Sequence, residues 1–453
     1  MLANIIKERR RKLNNLIEAD VNPYPSKIKR TVLIAGALKN FNKLSRSKKQ
    51  IFIAGRVMAL RDQGNLIFVD IKDESGLALS RVEGKIQTLL KKDNLPNFKL
   101  LKQNLDIGDF IAVSGVLFKT KAGEKSVEAK SAEIIAKSLR PLPTEWYGLK
   151  DIEERFRKRY LDIILNPEIK EKFLKRSEVI AYLRQKLNDE GFLEVETPML
   201  QPLPGGAKAR PFATHHNALD VDFYLRIAPE LYLKRLLVAG FEKVYEIGRN
   251  FRNEGIDRDH NPEFTMLELY WAYQDWEGLM KFVEKILKKF IKGKWSRITF
   301  AEVLKKYAKK NPSEIKSEDL DEIFKKEARP KIIKPTFVTH YPKSISPLAK
   351  SCPDNPELTE RFQLIVGGME IVNGFSELND PLEQRKRMEE QEKMYRRGDE
   401  EASRLDEDFL EALEYGMPPA AGLGIGIDRL AALITKSRNI KEVIIFPTLK
   451  PKS

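Results

Sequence analysis

The stretch Val244–Tyr273, VYEIGRNFRNEGIDRDHNPEFTMLELYWAY, limits what this chain can fold into more than any other. Two apolar, aromatic-rich runs flank a polar centre in which Arg249, Arg252, Arg258 and His260 alternate with Glu254, Asp257, Asp259 and Glu263. In the second run Phe264 and Met266 alternate with Thr265, and Leu267 and Leu269 with Glu268, which is the period of a strand rather than a helix. The reading is strand, charged loop, strand. Guanidinium forks pair bidentately with phosphate oxygens, so the loop suits an anionic substrate such as a nucleoside triphosphate. Charge content alone favours a solvated hairpin laced with surface ion pairs, and the rest of the chain has to decide between the two.

At 453 residues the chain is long enough for two or three domains. A single cysteine, Cys352, excludes an internal disulfide framework, and with only four histidines a Cys/His zinc cluster is not expected. Any metal should therefore be held by oxygen ligands. No apolar run reaches the ~20 residues that span a bilayer, and MLANIIKERRRKLNN has no apolar signal core, so a cytoplasmic protein is expected. Residues 1–50 carry thirteen Lys/Arg against three Asp/Glu, a large share of the overall +15, which favours a polyanionic partner at that end. Residues 2–20 read as a basic helix with a partial apolar stripe of Leu2, Ile5, Ile6, Leu13, Leu16 and Ile17. An RNA-contacting arm and a helix simply docked on the body both fit that pattern.

From Gln50 to Leu139 the pattern changes to short strand-like runs: IFIAGRVMAL, NLIFVDIKD, LALSRVEG, DFIAVSGVLFKT and KSVEAKSAEII. Five strands and one helix-like stretch, Ile86–Leu101, predict a small closed barrel of the OB type, a scaffold that commonly binds single-stranded nucleic acid. Phe52, Arg56 and Phe68 are the candidate stacking and phosphate-tracking residues, although a barrel aromatic is more often core. The proline-rich LRPLPTEWYGLKD ends this region. The expected division is a basic arm over 1–49, the barrel over 50–140, a linker over 141–160 and a second domain over 161–453.

In that second domain, Glu171–Glu190 reads as an amphipathic helix with Val179, Ile180, Leu183 and Leu187 on one face, stopped by Gly191. FLEVET reads as a strand, residues 199–216 as a loop with Gly205-Gly206, FYLRIA as a strand, and PELYLKRLLVAG as a helix that Glu230 stabilises at its start. Trp276–Ile291 reads as a helix, 292–331 as a lysine-rich peripheral region with helical pieces, and Arg385–Tyr415 as a charged helical segment with a solvated face. AAGLGIGIDRLAALITKS is a glycine-spaced strand entering a helix. Its glycines lie at the wrong end of the chain for a dinucleotide fingerprint.

Taken together and in order, FRNEGIDRDHNPEFTMLELYWAY, GMEIVNGFSELND and AAGLGIGIDRL behind a small barrel resemble the class II lysyl-tRNA synthetases. The resemblance runs from about Gln50 to Pro451 and is weakest over 292–331. It implies an α+β fold: a class II aminoacyl-tRNA synthetase catalytic domain, an antiparallel sheet flanked by helices, behind an N-terminal OB-fold anticodon-binding domain, in a homodimer. The implied activity is lysine–tRNA ligase, with ATP, L-lysine, tRNA(Lys) and Mg²⁺ as partners and cofactor. Matching positions put Arg252 on the α-phosphate, Glu254 near the adenine and its ribose, Phe264 against the adenine, and His260 and Arg429 on the outer phosphates. The implied lysine pocket is Gly206, Glu230, Glu268, Tyr270, Asn373, Phe375 and Glu377. A buried ammonium needs anionic partners and tolerates an aromatic wall, so the carboxylates suit lysine better than an acidic or neutral substrate.

Three positions depart from the family pattern. Of two metal-binding glutamates seven residues apart, the second is Glu370, but the first position holds Gln363. A barrel position that usually holds glutamine for an anticodon base holds Leu79. Asp259 stands before His260, where bacterial relatives often have arginine. Two other readings stay open: a lysine ligase for a protein acceptor, which the barrel argues against, and an inactive tRNA-binding relative, which Gln363 favours.

Overall fold

The protein is described here by a computed structural model covering residues 2–76, 84–143 and 151–452. The chain divides into two compact units, Met1–Glu171 and Lys172–Ser453.

In the first unit the N-terminal helix spans Leu2–Glu18. Its expected apolar stripe is largely exposed at Leu2, Ile5 and Ile17, and burial falls on Leu16 and, unexpectedly, Arg9. The Arg9 guanidinium donates to the carbonyls of Ser138, Arg140 and Ile107, and Lys12 pairs with Asp106 at 2.8 Å. The helix is thus docked, through polar bonds as much as apolar ones. Two short helices that the sequence reading missed, Ile34–Lys39 and Phe41–Arg46, add Ile34, Ala37 and Phe41 to the barrel core.

The barrel strands are β1 (Ile51–Asp62), β2 (Leu66–Lys72), β3 (Lys85–Lys91), β4 (Phe110–Lys119) and β5 (Lys125–Ala136), closed in the order β1-β2-β3-β5-β4. Strand β3 corrects the helix expected over Ile86–Leu101, of which only Phe98–Asn104 is helical. β3 pairs with β2 antiparallel and β5 parallel, and Ile86 to Leu90 are buried without a break. Burial on both faces erases the period-2 alternation by which a strand is recognised. Most of the run LALSRVEG, with Leu79, lies outside the described residues.

In the second unit the strands are β6 (Leu193–Glu194), β7 (Leu200–Gln201), β8 (Phe212–His216), β9 (Val221–Leu225), β10 (Lys243–Phe251), β11 (Glu263–Ala272), β12 (Ser296–Thr299), β13 (Thr336–Pro342), β14 (Ser351–Cys352), β15 (Asn355–Val366), β16 (Met369–Ser376) and β17 (Ala420–Gly426). Among the described residues, nine of them form one sheet in the order β12-β13-β15-β16-β17-β11-β10-β6, with β14 beside β15. The sheet is antiparallel except at its two ends, where β6 and β12 pair parallel. The hairpin β10/β11 is the predicted strand, loop, strand, paired from Lys243↔Trp271 to Phe251↔Glu263.

Helices cover this sheet. Val179, Leu183 and Leu187 of the helix Pro167–Asp189 pack with Leu279, Val283 and Ile286 of the helix Trp276–Leu287 on Leu267 and Leu269 of β11. The helix Glu230–Val238 packs Leu231, Leu233 and Leu237 around Tyr270 and Ala272. β11 is therefore buried in its second half except at half-buried Trp271, and Glu268 is only 4% exposed rather than on a polar face. Asp428 anchors the centre: it accepts from the Thr265 N–H at 2.8 Å and pairs with Arg176 at 2.9 Å.

Three expectations are corrected. The supposed loop 199–216 contains β7 and β8, which pair with β9. The lysine-rich region 292–331 supplies edge strand β12, and its Phe300, Val303, Leu304 and Phe324 form a separate core around Tyr341. Arg385–Tyr415 is two helices, Pro381–Arg396 and Glu407–Glu414, not one solvated face. Gln384, Arg387 and Met388 of the first and Phe409, Leu410 and Leu413 of the second are buried, and Arg387 donates to the Ala349 carbonyl.

Candidate active site

The charged loop of the β10/β11 hairpin folds back on the start of the last helix, Ile427–Ile434. Arg429, three residues into that helix, donates from Nη2 to His260 Nε2 at 3.2 Å, from Nε to the Asp259 carbonyl at 3.4 Å and from Nη1 to the Glu370 carbonyl at 3.3 Å. Arginine can only donate, so His260 Nε2 accepts and Nδ1 carries the proton, aimed at Asp257 Oδ2, 2.8 Å away. Burial opposes the Asp257 charge, but the His260 ring and the N–H groups of Asp259 and His260 hold its carboxyl below the usual range. The imidazole is fixed in tautomer and direction.

Arg252 lies on β11's side of the same cluster, its guanidinium 5.0 Å from the centroid of Phe264. Burial pulls its pKa down, with Arg429 adding to the pull against the carboxylates of Glu254, Glu268 and Glu370. Its Nε is buried without a hydrogen bond. A half-buried guanidinium with a buried, unpaired Nε and a ring beside it is a site for a planar anion or a phosphate. Glu254 lines an open cavity of about 460 Å³ with Arg210, Asn253 and Glu400, across which Arg210 and Glu400 pair at 3.1 Å. The negative charge of Asp259 is not turned on this cluster: both its oxygens are taken by Arg258, at 3.0 and 2.9 Å.

Next to the guanidinium cluster, β11, β16, β17 and the helix Glu230–Val238 enclose the second group of residues. Glu230, Glu268 and Glu377 are each 6% exposed or less. Burial, with Glu230 nearby, pushes Glu268 up to about 8 against the pull of Arg252 and Arg226. Burial likewise pushes Glu377 up to about 8, although Lys234 pulls the other way. Tyr270 donates to Glu268 Oε2 at 3.3 Å, and burial among the three carboxylates raises its pKa well above the usual range. Glu377 Oε1 is buried and no described group donates to it.

The glycines of GLGIG have a steric role here. A Cβ on Gly422 would overlap Glu377 Oε1 and lie 2.5 Å from Tyr270 Cε1, and one on Gly424 would lie 2.5 Å from Met266 Cε. Gly206, at φ +85°, brings its backbone against Glu230, where a Cβ would sit 2.9 Å from that residue's Cβ. Phe375 lies 5.5 Å from the Lys234 ammonium, and Asn373 is already held by Arg361 Nε at 2.9 Å.

In the barrel, the three residues singled out are spread apart. Phe68 stands opposite Arg61, whose guanidinium is 5.9 Å from its ring centroid. Arg56 pairs with Lys72 at the far end of β2, packs on Phe110 at 4.2 Å and donates to the Gly108 carbonyl. Phe52 is on the other edge, beside Ser114 of β4, with the Lys29 ammonium 4.1 Å from its ring. Burial lowers the Arg56 pKa, and its contacts tie it to the barrel.

Comparison with known proteins bears on this architecture. Residues 151–450 match the family model for class II tRNA synthetases (D, K and N), and residues 51–135 match that for the OB-fold nucleic acid binding domain. The chain is 46% identical to the lysine–tRNA ligase of Pelotomaculum thermopropionicum, over all of this chain and 96% of that one. It is 45% identical to that of Moorella thermoacetica, over 97% and 96%, and 46% to that of Carboxydothermus hydrogenoformans, over 100% and 99%. The chain belongs to the class II lysyl-tRNA synthetases. It uses ATP, as the family does, and it carries the family's two-domain plan of a barrel and a helix-flanked sheet. Among the described residues no helix is long and apolar enough to cross a membrane.

For a lysyl-tRNA synthetase the metal question turns on Glu370 and Gln363. Among the described residues, no group of three or more His, Cys, Asp or Glu side chains could hold a metal ion. Gln363 is 5% exposed, and its Oε1 accepts the Tyr341 hydroxyl at 2.8 Å, so it offers no charge and only part of an acceptor. Glu370 keeps a partly exposed carboxylate 3.8 Å from Arg429. The donor set fits a Mg²⁺ ion that arrives on nucleotide phosphates and takes one carboxylate, since Mg²⁺ commonly binds one or two carboxylates plus phosphates.

Sequence reading missed several residues of the site. Lys234 pairs with Glu230 and Glu377 at 2.7 and 2.5 Å. Arg226, fully buried, pairs with Glu246 at 2.5 Å and donates to the carbonyls of Arg249 and Thr197. The Glu230/Lys234 spacing of four was the available signal, but on a helix it reads first as a surface pair.

Proposed function

We propose that the protein joins lysine to tRNA(Lys) in two steps at this site. The lysine carboxylate attacks the α-phosphorus of ATP, forming lysyl-adenylate and releasing pyrophosphate. A hydroxyl of the tRNA's terminal adenosine then attacks the lysyl carbonyl and AMP leaves. The observation that carries the reading is the enclosed set Glu230, Glu268, Glu377 and Tyr270, with Glu377 Oε1 unpaired, beside the Arg252, His260 and Arg429 cluster. Three buried carboxylates cannot stay ionised without cations, and the ammonium groups of lysine are cations of the right kind.

In this reading Arg252 binds the α-phosphate, where charge develops on the equatorial oxygens, and Phe264 and Glu254 hold the adenosine. His260 and Arg429 bind the outer phosphates. Gly206, Asn373 and Phe375 complete the wall of the lysine pocket. Preorganised cations account for most of the acceleration of such a transfer, and no nucleophilic side chain is required. Glu370 would hold Mg²⁺, which neutralises phosphate charge when bound. In the second step the adenylate phosphate itself accepts the hydroxyl proton. Phe68, half-exposed on β2 beside Arg61, is the anticodon-stacking residue, with Phe52 and Arg56 supporting the barrel face. The working form is a cytoplasmic homodimer, which sedimentation velocity would test.

The test is lysine-dependent ATP–pyrophosphate exchange by the purified protein, followed by charging of a tRNA with a UUU anticodon. Exchange with another amino acid alone sinks the reading. tRNA binding without adenylate formation would mean that the catalytic site is inactive.

A further inference from the structure

Lys234 is an internal ammonium inside a pocket read as a binding site for ammonium groups. It is fully buried, with Nζ 2.7 Å from Glu230 Oε1 and 2.5 Å from Glu377 Oε2. The second contact is an ion pair, and Glu377 Oε1 is buried without a donor among the described residues. The enclosure holds three carboxylates, Glu230, Glu268 and Glu377. Lys234 places a cation between two of them before any substrate ammonium arrives.

We propose that Lys234 is a positioning residue for the amino-acid pocket, its ammonium bridging Glu230 and Glu377 and favouring the ionised form of Glu377, whose Oε1 is left free for a substrate ammonium. The inference rests on the lysine reading of the site. The groups facing Glu377 come from every element around it: Glu230 and Lys234 from the helix Glu230–Val238, and Glu268 and Tyr270 from β11. Phe375 of β16 and Gly422 of β17 add no charge. Of these, only Lys234 favours the ionised carboxyl; Glu230 and Glu268 disfavour it, as burial does. Burial also works against the Lys234 charge, but Glu230 and Glu377 outweigh it and hold its pKa above the usual range. Lys234 therefore stays charged at neutral pH.

Without Lys234, Glu377 should keep its proton to still higher pH, so that a smaller fraction of it is an anionic acceptor near neutrality. The experiment measures the lysine KM by ATP–pyrophosphate exchange from pH 6 to 9.5 for the wild-type protein and Lys234→Met, which keeps an unbranched apolar stem one atom shorter. The expected result is an acid limb of 1/KM moved up by about one pH unit or more, a KM raised roughly tenfold at pH 7, and a gap that closes by pH 9.5. A loss equal at all pH values, or an unmoved limb, overturns the proposal by showing a packing role. If Lys234→Met does not fold, the comparison is Lys234→Met/Glu377→Gln against Glu377→Gln, whose lysine KM values should agree within about threefold, as they would when the lysine acts through that carboxylate. A further large loss in the double variant overturns it. Wild-type protein without any lysine-dependent exchange would instead overturn the functional reading, a result distinct from either.

Discussion

Gly422→Ala offers a direct physical test of the pocket. The added Cβ would overlap Glu377 Oε1 and sit 2.5 Å from Tyr270 Cε1. Neither neighbour can step aside easily: Glu377 is paired with buried Lys234, and Tyr270 is packed in the core with Leu231 and Leu237. Overpacking of this kind costs about 1–3 kcal/mol. If the strain is relieved by pushing Glu377 and Tyr270 into the pocket, the loss appears in lysine binding, and at about 1.4 kcal/mol per decade the lysine KM rises roughly five- to a hundredfold. The ATP KM should stay within about twofold, because Arg252, His260 and Arg429 do not touch Gly422. Gly424→Ala is the internal control. There the Cβ meets the terminal methyl of Met266, the far end of a flexible chain that can rotate away, so the lysine KM should move less than about threefold. Exchange kinetics with lysine and ATP varied separately, together with melting temperatures, measure both. Unchanged lysine KM in a folded Gly422→Ala protein would refute the assignment of Glu377 and Tyr270 to the pocket.

Stability should also report the buried carboxyls. Glu268 and Glu377, raised to about 8, keep protons that the unfolded chain has released above about 4.5, so their contribution to stability is complete at low pH and is lost as pH rises through about 8. Lysine supplies ammonium groups to the ionised form, so its upward shift of the melting temperature should grow from pH 6.5 to 8.5; a shift largest at pH 6.5 contradicts the pocket's charge balance. Phe68→Ala should raise the tRNA KM by roughly ten- to a hundredfold, the worth of about 1–3 kcal/mol of base stacking, while pyrophosphate exchange without tRNA is untouched; an equal effect on exchange would make Phe68 a folding residue. Gln363→Glu should lower the Mg²⁺ concentration for half-maximal exchange, with the Tyr341 hydroxyl donating to the new carboxylate, and no change would mean that Glu370 and the nucleotide already suffice.

Much of the fold was legible because the elements carry their own signals. The β10/β11 hairpin, four of the five barrel strands and the amphipathic helix with Val179, Leu183 and Leu187 inward all follow from periodicity and from where glycine and proline fall. Strand β3 was read as a helix because a strand buried on both faces has no alternation to read. Arg385–Tyr415 was read as a solvated face because charge does not say where a side chain is buried, and Arg387 ends on the Ala349 carbonyl inside the fold.

The sequence by itself determined the chemistry available: guanidinium groups, a histidine, a glutamate and a tyrosine on one hairpin, further glutamates on a helix and at the end of another strand, and glycines where the backbone has to approach closely. Only tertiary structure decided which charges meet. The Glu230/Lys234 pair reads as a surface rung on a helix, and becomes the buried counter-ion of the pocket because the chain leaving β16 brings Glu377 against that helix. Asp259, an unwelcome charge in the sequence, is neutralised by its neighbour Arg258. Coulomb interaction depends on distance and burial, and both are properties of strands and helices that lie far apart along the chain.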